Sequence, residues 1–342
     1  MVWPAGKKLK NGRYTIERPL KQGRLSTTYL ATSRKGETKE ELVVLKVTNG
    51  QAIDPVRFDK LKAHFRDEAF QLAKCSSPDN PNHHIVGVEK SFEEEGLVCI
   101  PMEFIAGTTL AEQNPRKLSE AEALHYIRQV SSALIVLHKQ GLIHRDVSPD
   151  NIMLRSRMGI NEAVLIDFGL VRDWETGTTL MASDITPFTA PELCDSGEKR
   201  GELTDLYGLG AVLYTLVTGN NPLKAGKRKL NERLPDLSSI HPMIARAIEK
   251  AMEFEYDHRS PSVAEWLKML PDIPLPVLTA VQPPSNPPAR QWTVERIGLV
   301  VAILAMIFTA FQGVMAIVSY YFPKDPPAPI QSPLKPPSSV SK

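Results

Sequence analysis

The residues best suited to chemistry lie in two short runs, Ile143-His-Arg-Asp-Val-Ser-Pro-Asp-Asn151 and Ile166-Asp-Phe-Gly169. Asp146, Asn151 and Asp167 together form a set of hard oxygen donors. One carboxylate can orient an attacking hydroxyl and take its proton. An amide oxygen and a second carboxylate can hold Mg²⁺ against the phosphates of a nucleotide. The set therefore fits phosphoryl transfer from ATP. Upstream, Val43-Val-Leu-Lys46 is an apolar strand pattern that ends in a cation. Lys46 is either a strand-edge lysine with its head in water or a ligand for nucleotide phosphates.

These residues need a scaffold that brings distant segments together. The first part of the chain reads as strand-rich, with β-type runs at Tyr14–Leu20, Thr27–Thr32 and Leu42–Val47. Phe58–Lys74 has helical spacing through Phe58, Leu61, Phe65 and Leu72. Ile85–Phe92 and Leu97–Phe104 return to strand. After Gly107 the pattern turns helical. Ser119 and Glu122 form a capping-box signal for a helix that runs to about Gln140, where Gly141 stops it. Leu206–Thr218, Pro242–Glu253 and Pro261–Leu270 are further helices. A small β-rich lobe followed by a larger helical lobe is an α+β architecture, and the cleft between them is the natural ligand site.

In their order and spacing the two runs resemble the eukaryotic-like serine/threonine protein kinases of bacteria. The resemblance covers about Tyr14–Leu270 and implies a bilobal protein-kinase fold over residues 11–270, with ATP and Mg²⁺ as cofactors and proteins as substrates. It makes Asp146 the catalytic aspartate, Asn151 a catalytic residue and metal ligand, and Asp167 the principal Mg²⁺ ligand. Lys46 becomes the lysine that contacts the α- and β-phosphates. Its partner is a glutamate on the following helix, best matched by Glu68, with Asp67 as the alternative. The stretch Leu20–Ala31 corresponds to the loop that covers the phosphates, so that Leu20, Gly23 and Thr28 line the nucleotide site. Met102, Glu103 and Ile105 match the hinge between the lobes, with Val44 and Met153 as pocket-lining neighbours. Ala190-Pro-Glu192 resembles the segment that closes the activation loop and shapes a protein-substrate site. Asp205 matches the aspartate that steadies the catalytic loop, and Arg259 the arginine that pairs with Glu192.

The chain departs from the family in three places. Of the loop's three glycines only Gly23 is present, with Lys21 and Ser26 at the outer positions. Ser148 stands where serine/threonine kinases carry a lysine, while Pro149 keeps the serine/threonine pattern. The run Asp184-Ile-Thr-Pro-Phe-Thr-Ala190 is one residue short of the family's form. Thr186 is the candidate for the threonine that meets the catalytic loop. Thr176, Thr178, Thr179 and Ser183 join it as hydroxyls whose phosphorylation could order the segment through Arg145. Two other readings are a scaffold that keeps the fold without the chemistry, and a kinase for a small molecule or lipid headgroup. The Ala-Pro-Glu segment weighs against the latter.

Composition agrees with a folded domain, at 42% hydrophobic and 23% charged residues. A net charge of +2 gives no basis for nucleic-acid binding. Cys75, Cys99 and Cys194 form no metal-type or paired spacing, which fits reduced thiols in a cytosolic domain. Met1–Lys10 holds no apolar run of the signal-peptide kind. Residues 271–292 are Pro-rich and read as an extended spacer. Ile297–Phe322 carries no charge and is long enough to cross a bilayer as a helix. Arg296, Tyr320, Tyr321 and Lys324 flank it in the manner of headgroup anchors. This predicts a single-pass protein of the cell membrane with the kinase domain in the cytoplasm and a short disordered tail, 323–342. A homodimer that phosphorylates itself in trans is a further expectation from the family.

Overall fold

A computed structural model of the chain describes residues 2–23, 25–35, 39–49, 54–76, 82–157, 159–167, 185–194, 200–225, 234 and 237–275. Phe168, Gly169, the activation segment up to Asp184, most of the Pro-rich stretch, the 297–322 run and the tail lie outside the described residues. Among the described residues, no helix is long and apolar enough to cross a membrane.

The small lobe is a six-stranded sheet. Its strands are β1 (Lys8–Leu9), β2 (Tyr14–Gln22), β3 (Ser26–Lys35), β4 (Lys39–Thr48), β5 (Phe92–Glu94) and β6 (Leu97–Glu103), in the spatial order β1-β2-β3-β4-β6-β5. Every neighbour is antiparallel. Successive side chains alternate between faces, so each face has its own partner. Tyr29, Ala31, Val43, Leu45 and Val47 point into one core with Tyr14, Ile16 and Cys99. Trp3 and Leu9 close that core from the N-terminal side. The Trp3 ring stacks on Tyr29 at 5.8 Å and its Nε1 donates to Glu95 at 3.0 Å. Residues ahead of Asn11, where the sequence places the start of the domain, are thus built into the small lobe.

The other face belongs to helix α1 (Pro55–Cys75), which packs on β4 and β6. Asp54 caps the helix by accepting from Arg57 N at 3.0 Å, and Pro55 suits the first turn because it has no N–H to lose. Leu61, Phe65, Ala69 and Leu72 form its buried stripe, as the spacing predicted. The expected strand Ile85–Phe92 does not form as one ladder. Val86 N bonds to Leu165 O, while Glu103 N bonds to Gly87 O and Glu89 N to Pro101 O. The segment changes partners at Gly87, so it makes only isolated bridges before β5.

The large lobe carries helices α2 (Glu120–Lys139), α3 (Glu202–Thr218), α4 (Pro242–Ala251) and α5 (Val263–Leu267). The Ser119–Glu122 capping box is in place, and Gly141 ends α2 with a left-handed φ of 72°. Helix α3 starts before the expected Leu206 and is buried along nearly its whole length. Helix α5 is shorter than the expected Pro261–Leu270, because Ser262 caps it by accepting from Glu265 N at 3.1 Å. A second sheet was not anticipated: β7 (Gly107–Thr109), β8 (Ile152–Arg157) and β9 (Ile160–Leu165), in that order. A Cβ on Gly107 would lie 1.9 Å from Leu154 O, so only glycine allows this pairing.

Candidate active site

The catalytic-loop candidates sit between α2 and β8, held from below by α3. Asp205, in the first turn of α3, is fully buried and accepts three hydrogen bonds. His144 N reaches its Oδ2 at 2.8 Å, Arg145 N its Oδ1 at 2.6 Å, and His138 Nε2 its Oδ2 at 2.8 Å. Arg145 has φ 62°, a conformation that costs a non-glycine residue about 1–3 kcal/mol and needs such bonds to hold it. Gly208 on the same helix makes room for the loop, since a Cβ there would lie 2.8 Å from Val147 O.

Within the loop, Asn151 Nδ2 donates to Asp146 O at 2.8 Å and to Asp146 Oδ2 at 2.9 Å. This fixes the Asp146 carboxylate. It also leaves Asn151 Oδ1 without a donor among the described residues. His144 joins the loop to its neighbour: its Nδ1 accepts from Asp146 N at 3.3 Å and its Nε2 donates to Ile166 O at 3.1 Å. That pattern requires the neutral ring, and burial holds the His144 pKa below its ordinary value. Ile166 N in turn bonds to Asn151 O at 2.9 Å.

Asp167 follows with φ 51°, again left-handed. Lys46 reaches it across the cleft, Nζ to Oδ1 at 2.6 Å. Lys21 stands 3.7 Å from Oδ2. Burial alone would raise the carboxyl's pKa, but the attraction of Lys46, then of Lys21 and His144, outweighs it and holds Asp167 below the ordinary carboxylate range. Lys46, Asp146, Asn151 and Asp167 are therefore linked in one hydrogen-bonded network through His144 and Ile166.

Glu68 is placed differently from the family-based expectation. Its Oε2 lies 3.3 Å from His64 Nε2 one turn back on α1, and no ion pair between Lys46 and Glu68 occurs among the described residues. Lys46 pairs with Asp167. Glu68 also acts electrostatically on Arg145. Asp67, the alternative, is exposed.

The nucleotide-pocket candidates fall along the cleft side of the sheet. Val44 pairs with Met102, and Thr28 with Lys46. Glu103 N donates to Gly87 O at 2.8 Å, and its carboxylate accepts from Arg155 Nη1 at 2.7 Å, which fixes the end of β6. Ile105 is buried, and Met153, opposite Thr109, packs against the core from below. Leu20 is exposed at the edge. Gly23 N bonds to Ser26 O at 2.8 Å, and a Cβ at Gly23 would press on that oxygen at 3.1 Å.

One supporting pair is as anticipated, and the contacts of Thr186 among the described residues stay within its own turn. Arg259 makes a two-pronged ion pair with Glu192, both contacts 2.8 Å, and also binds Leu203 O and Glu253 O. Thr186, the candidate to meet the catalytic loop, shares its hydroxyl with Thr189 at 3.1 Å inside its own turn. Sequence reading gave no role to His138 or Lys21. A lysine where a glycine is expected was the available signal for the second.

Residues 14–272 match the family described as the protein kinase domain. The serine/threonine-protein kinase PknJ of Mycobacterium tuberculosis is 35% identical over 218 residues, covering 62% of this chain and 35% of PknJ. The match thus spans about a third of that relative's length. The kinase domain of Mycobacterium tuberculosis PknI superposes with a TM-score of 0.58 at 26% identity, covering 78% of this chain and 98% of that one. The apo form of PpkA-294 superposes at 0.62 over 79% of this chain and 99% of its own length, at 24% identity, a likeness of fold.

Proposed function

The chain belongs to the protein kinase domain family, and from that premise we propose that it transfers the γ-phosphoryl group of ATP to serine or threonine hydroxyls of proteins. The carrying observation is the network that joins Lys46 of the small lobe to Asp167 and, through His144, to Asp146 and Asn151 of the large lobe. In the reaction, the substrate hydroxyl oxygen bonds to the γ-phosphorus as the bond to the β–γ bridging oxygen breaks. The hydroxyl proton passes to the Asp146 carboxylate, and ADP leaves with the electron pair. Asn151 keeps the Asp146 carboxylate turned toward the incoming hydroxyl. Lys46 supplies fixed positive charge on the nucleotide side.

The donor set fits Mg²⁺. Asn151 Oδ1 and the Asp167 carboxylate are hard oxygens, and no cluster of three or more His, Cys, Asp or Glu among the described residues would hold a metal alone. Mg²⁺ characteristically takes one or two protein ligands and completes its shell with phosphate and water. When bound, it supplies charge against the nucleotide's phosphates.

The buried Glu192–Arg259 pair and Pro149 support a protein substrate with serine or threonine as acceptor. Arg145 next to Asp146 in sequence, together with the five hydroxyl residues that the sequence carries from Thr176 to Thr186, supports activation by phosphorylation, with a second copy of the chain as the partner that delivers it. The uncharged run Ile297–Phe322 supports a single-pass anchor in the cell membrane with the kinase domain on the cytoplasmic, ATP-containing side. The test is transfer from γ-labelled ATP to a panel of proteins, lipids and aminoglycosides. The proposal expects label on protein serine and threonine. Label confined to lipid or aminoglycoside would replace it.

A further inference from the structure

The transferred phosphoryl group carries dispersed negative charge, yet the stretch of catalytic loop that follows Asp146 offers it no cation. Between Asp146 and Asn151 the residues are Val-Ser-Pro-Asp, and Ser148 is only 6% exposed. Besides Lys46, a second lysine of the small lobe, Lys21, reaches Asp167. In the β2–β3 ladder Pro19 pairs with Tyr29 and Lys21 with Thr28, so Leu20 is the extra residue of a bulge. In a regular ladder Leu20 would face Thr28, and Lys21 would face Thr27, on the side of the sheet covered by Trp3. The bulge turns Lys21 to the cleft side, a common use of bulges beside active sites. Thr28 pairs on its other flank with Lys46. Lys21, Thr28 and Lys46 therefore form one row across three strands, with both ammonium groups directed at Asp167, at 3.7 and 2.6 Å.

The two lysines are not equivalent. Lys46 is 5% exposed in the middle of the sheet, whereas Lys21 is 69% exposed near the end of β2. An exposed ion pair of this kind is worth little, so Lys21 exchanges its carboxylate for a phosphate readily. We propose that Lys21 is a catalytic residue that places its ammonium on the γ-phosphoryl group, providing from the small lobe the cation that the catalytic loop lacks after Asp146. The proposal rests on the phosphotransfer reading above, and it explains why a long cation replaces glycine at this position.

The experiment compares the affinity of the full-length protein for Mg²⁺ with a non-hydrolysable ATP analogue and for Mg²⁺ with ADP, using wild type, Lys21→Ala and Lys21→Arg. Wild type is expected to prefer the triphosphate. Lys21→Ala should lose about tenfold in analogue affinity, the size of one charge-assisted contact, with ADP affinity within about twofold. Lys21→Arg should keep the preference. A wild type without that preference, or a Lys21→Ala protein that retains it, overturns the assignment. The comparison needs no turnover, so a wild type that transfers no phosphate counts against the phosphotransfer reading, while Lys21 is judged on the triphosphate preference alone.

Discussion

His144 is the residue on which two loops meet, and it works only as a neutral ring. It accepts from Asp146 N on one side and donates to Ile166 O on the other. Because burial lowers its pKa in the folded chain, the unfolded chain takes up a proton first as pH falls below about 6.5. The stability His144 contributes is complete above that value. It is lost as pH drops toward the lower, folded pKa, by at most about 1.4 kcal/mol per pH unit. His84, also lowered by burial, adds in the same direction. Thermal unfolding between pH 7 and pH 5 should show a falling midpoint, with a shallower slope in His144→Phe; equal slopes would remove His144 from this role. At this scale the sequence was legible where contiguous spacing brings candidates together: Asp146 and Asn151 share a hydrogen bond, and Asp167 follows the Ile166 that His144 holds. The contact of Glu68 with His64 was not, because spacing along a helix does not say which of its neighbours a side chain will take.

Helix α3 positions the catalytic loop through a carboxylate and a gap. Asp205 supplies the hydrogen bonds, and Gly208 supplies the space for Val147. A methyl at Gly208 would meet Val147 O at 2.8 Å and Val147 Cβ at 3.0 Å, neither of them a movable side-chain end. Gly208→Ala should therefore shift the segment next to Asp146 and lower kcat by about 100-fold, the cost of misplacing reacting groups by an ångström. ADP affinity should stay within about twofold, because Lys46, Met102 and Glu103 are on other elements. Unchanged kcat would mean that the loop is not braced there. Most helices were legible from their periodicity and caps. The sheet β7-β8-β9 was not: β8 and β9 are six residues each, and neither alternates cleanly, since β8 ends in Arg-Ser-Arg and β9 closes on three apolar residues in a row. The Ile85–Phe92 misreading has a related cause, a strand-like composition that the fold divides between two partners.

At the scale of the whole chain, residues 1–276 form one compact unit that carries every site residue discussed. Trp3 lies in a segment with no repeating pattern, so its place over the small-lobe core was not legible in the sequence. The membrane anchor is a separate proposal with its own test. Wild-type protein should stay with the membrane fraction at high salt and leave it in detergent. Leu304→Arg with Ala310→Arg should release it, since each arginine costs about 2.5–3.5 kcal/mol at a helix centre. Wild type that is soluble without detergent would contradict the anchor. The central claim is the phosphotransfer itself, and its most direct measurement is label transfer from γ-labelled ATP with Mg²⁺ by the full chain, beside Asp146→Asn. The account predicts label on serine and threonine of the chain or a protein substrate, lost by at least about 100-fold in Asp146→Asn while nucleotide still binds. Equal labelling by the two proteins, or none by wild type that binds Mg²⁺ and ATP, would contradict it.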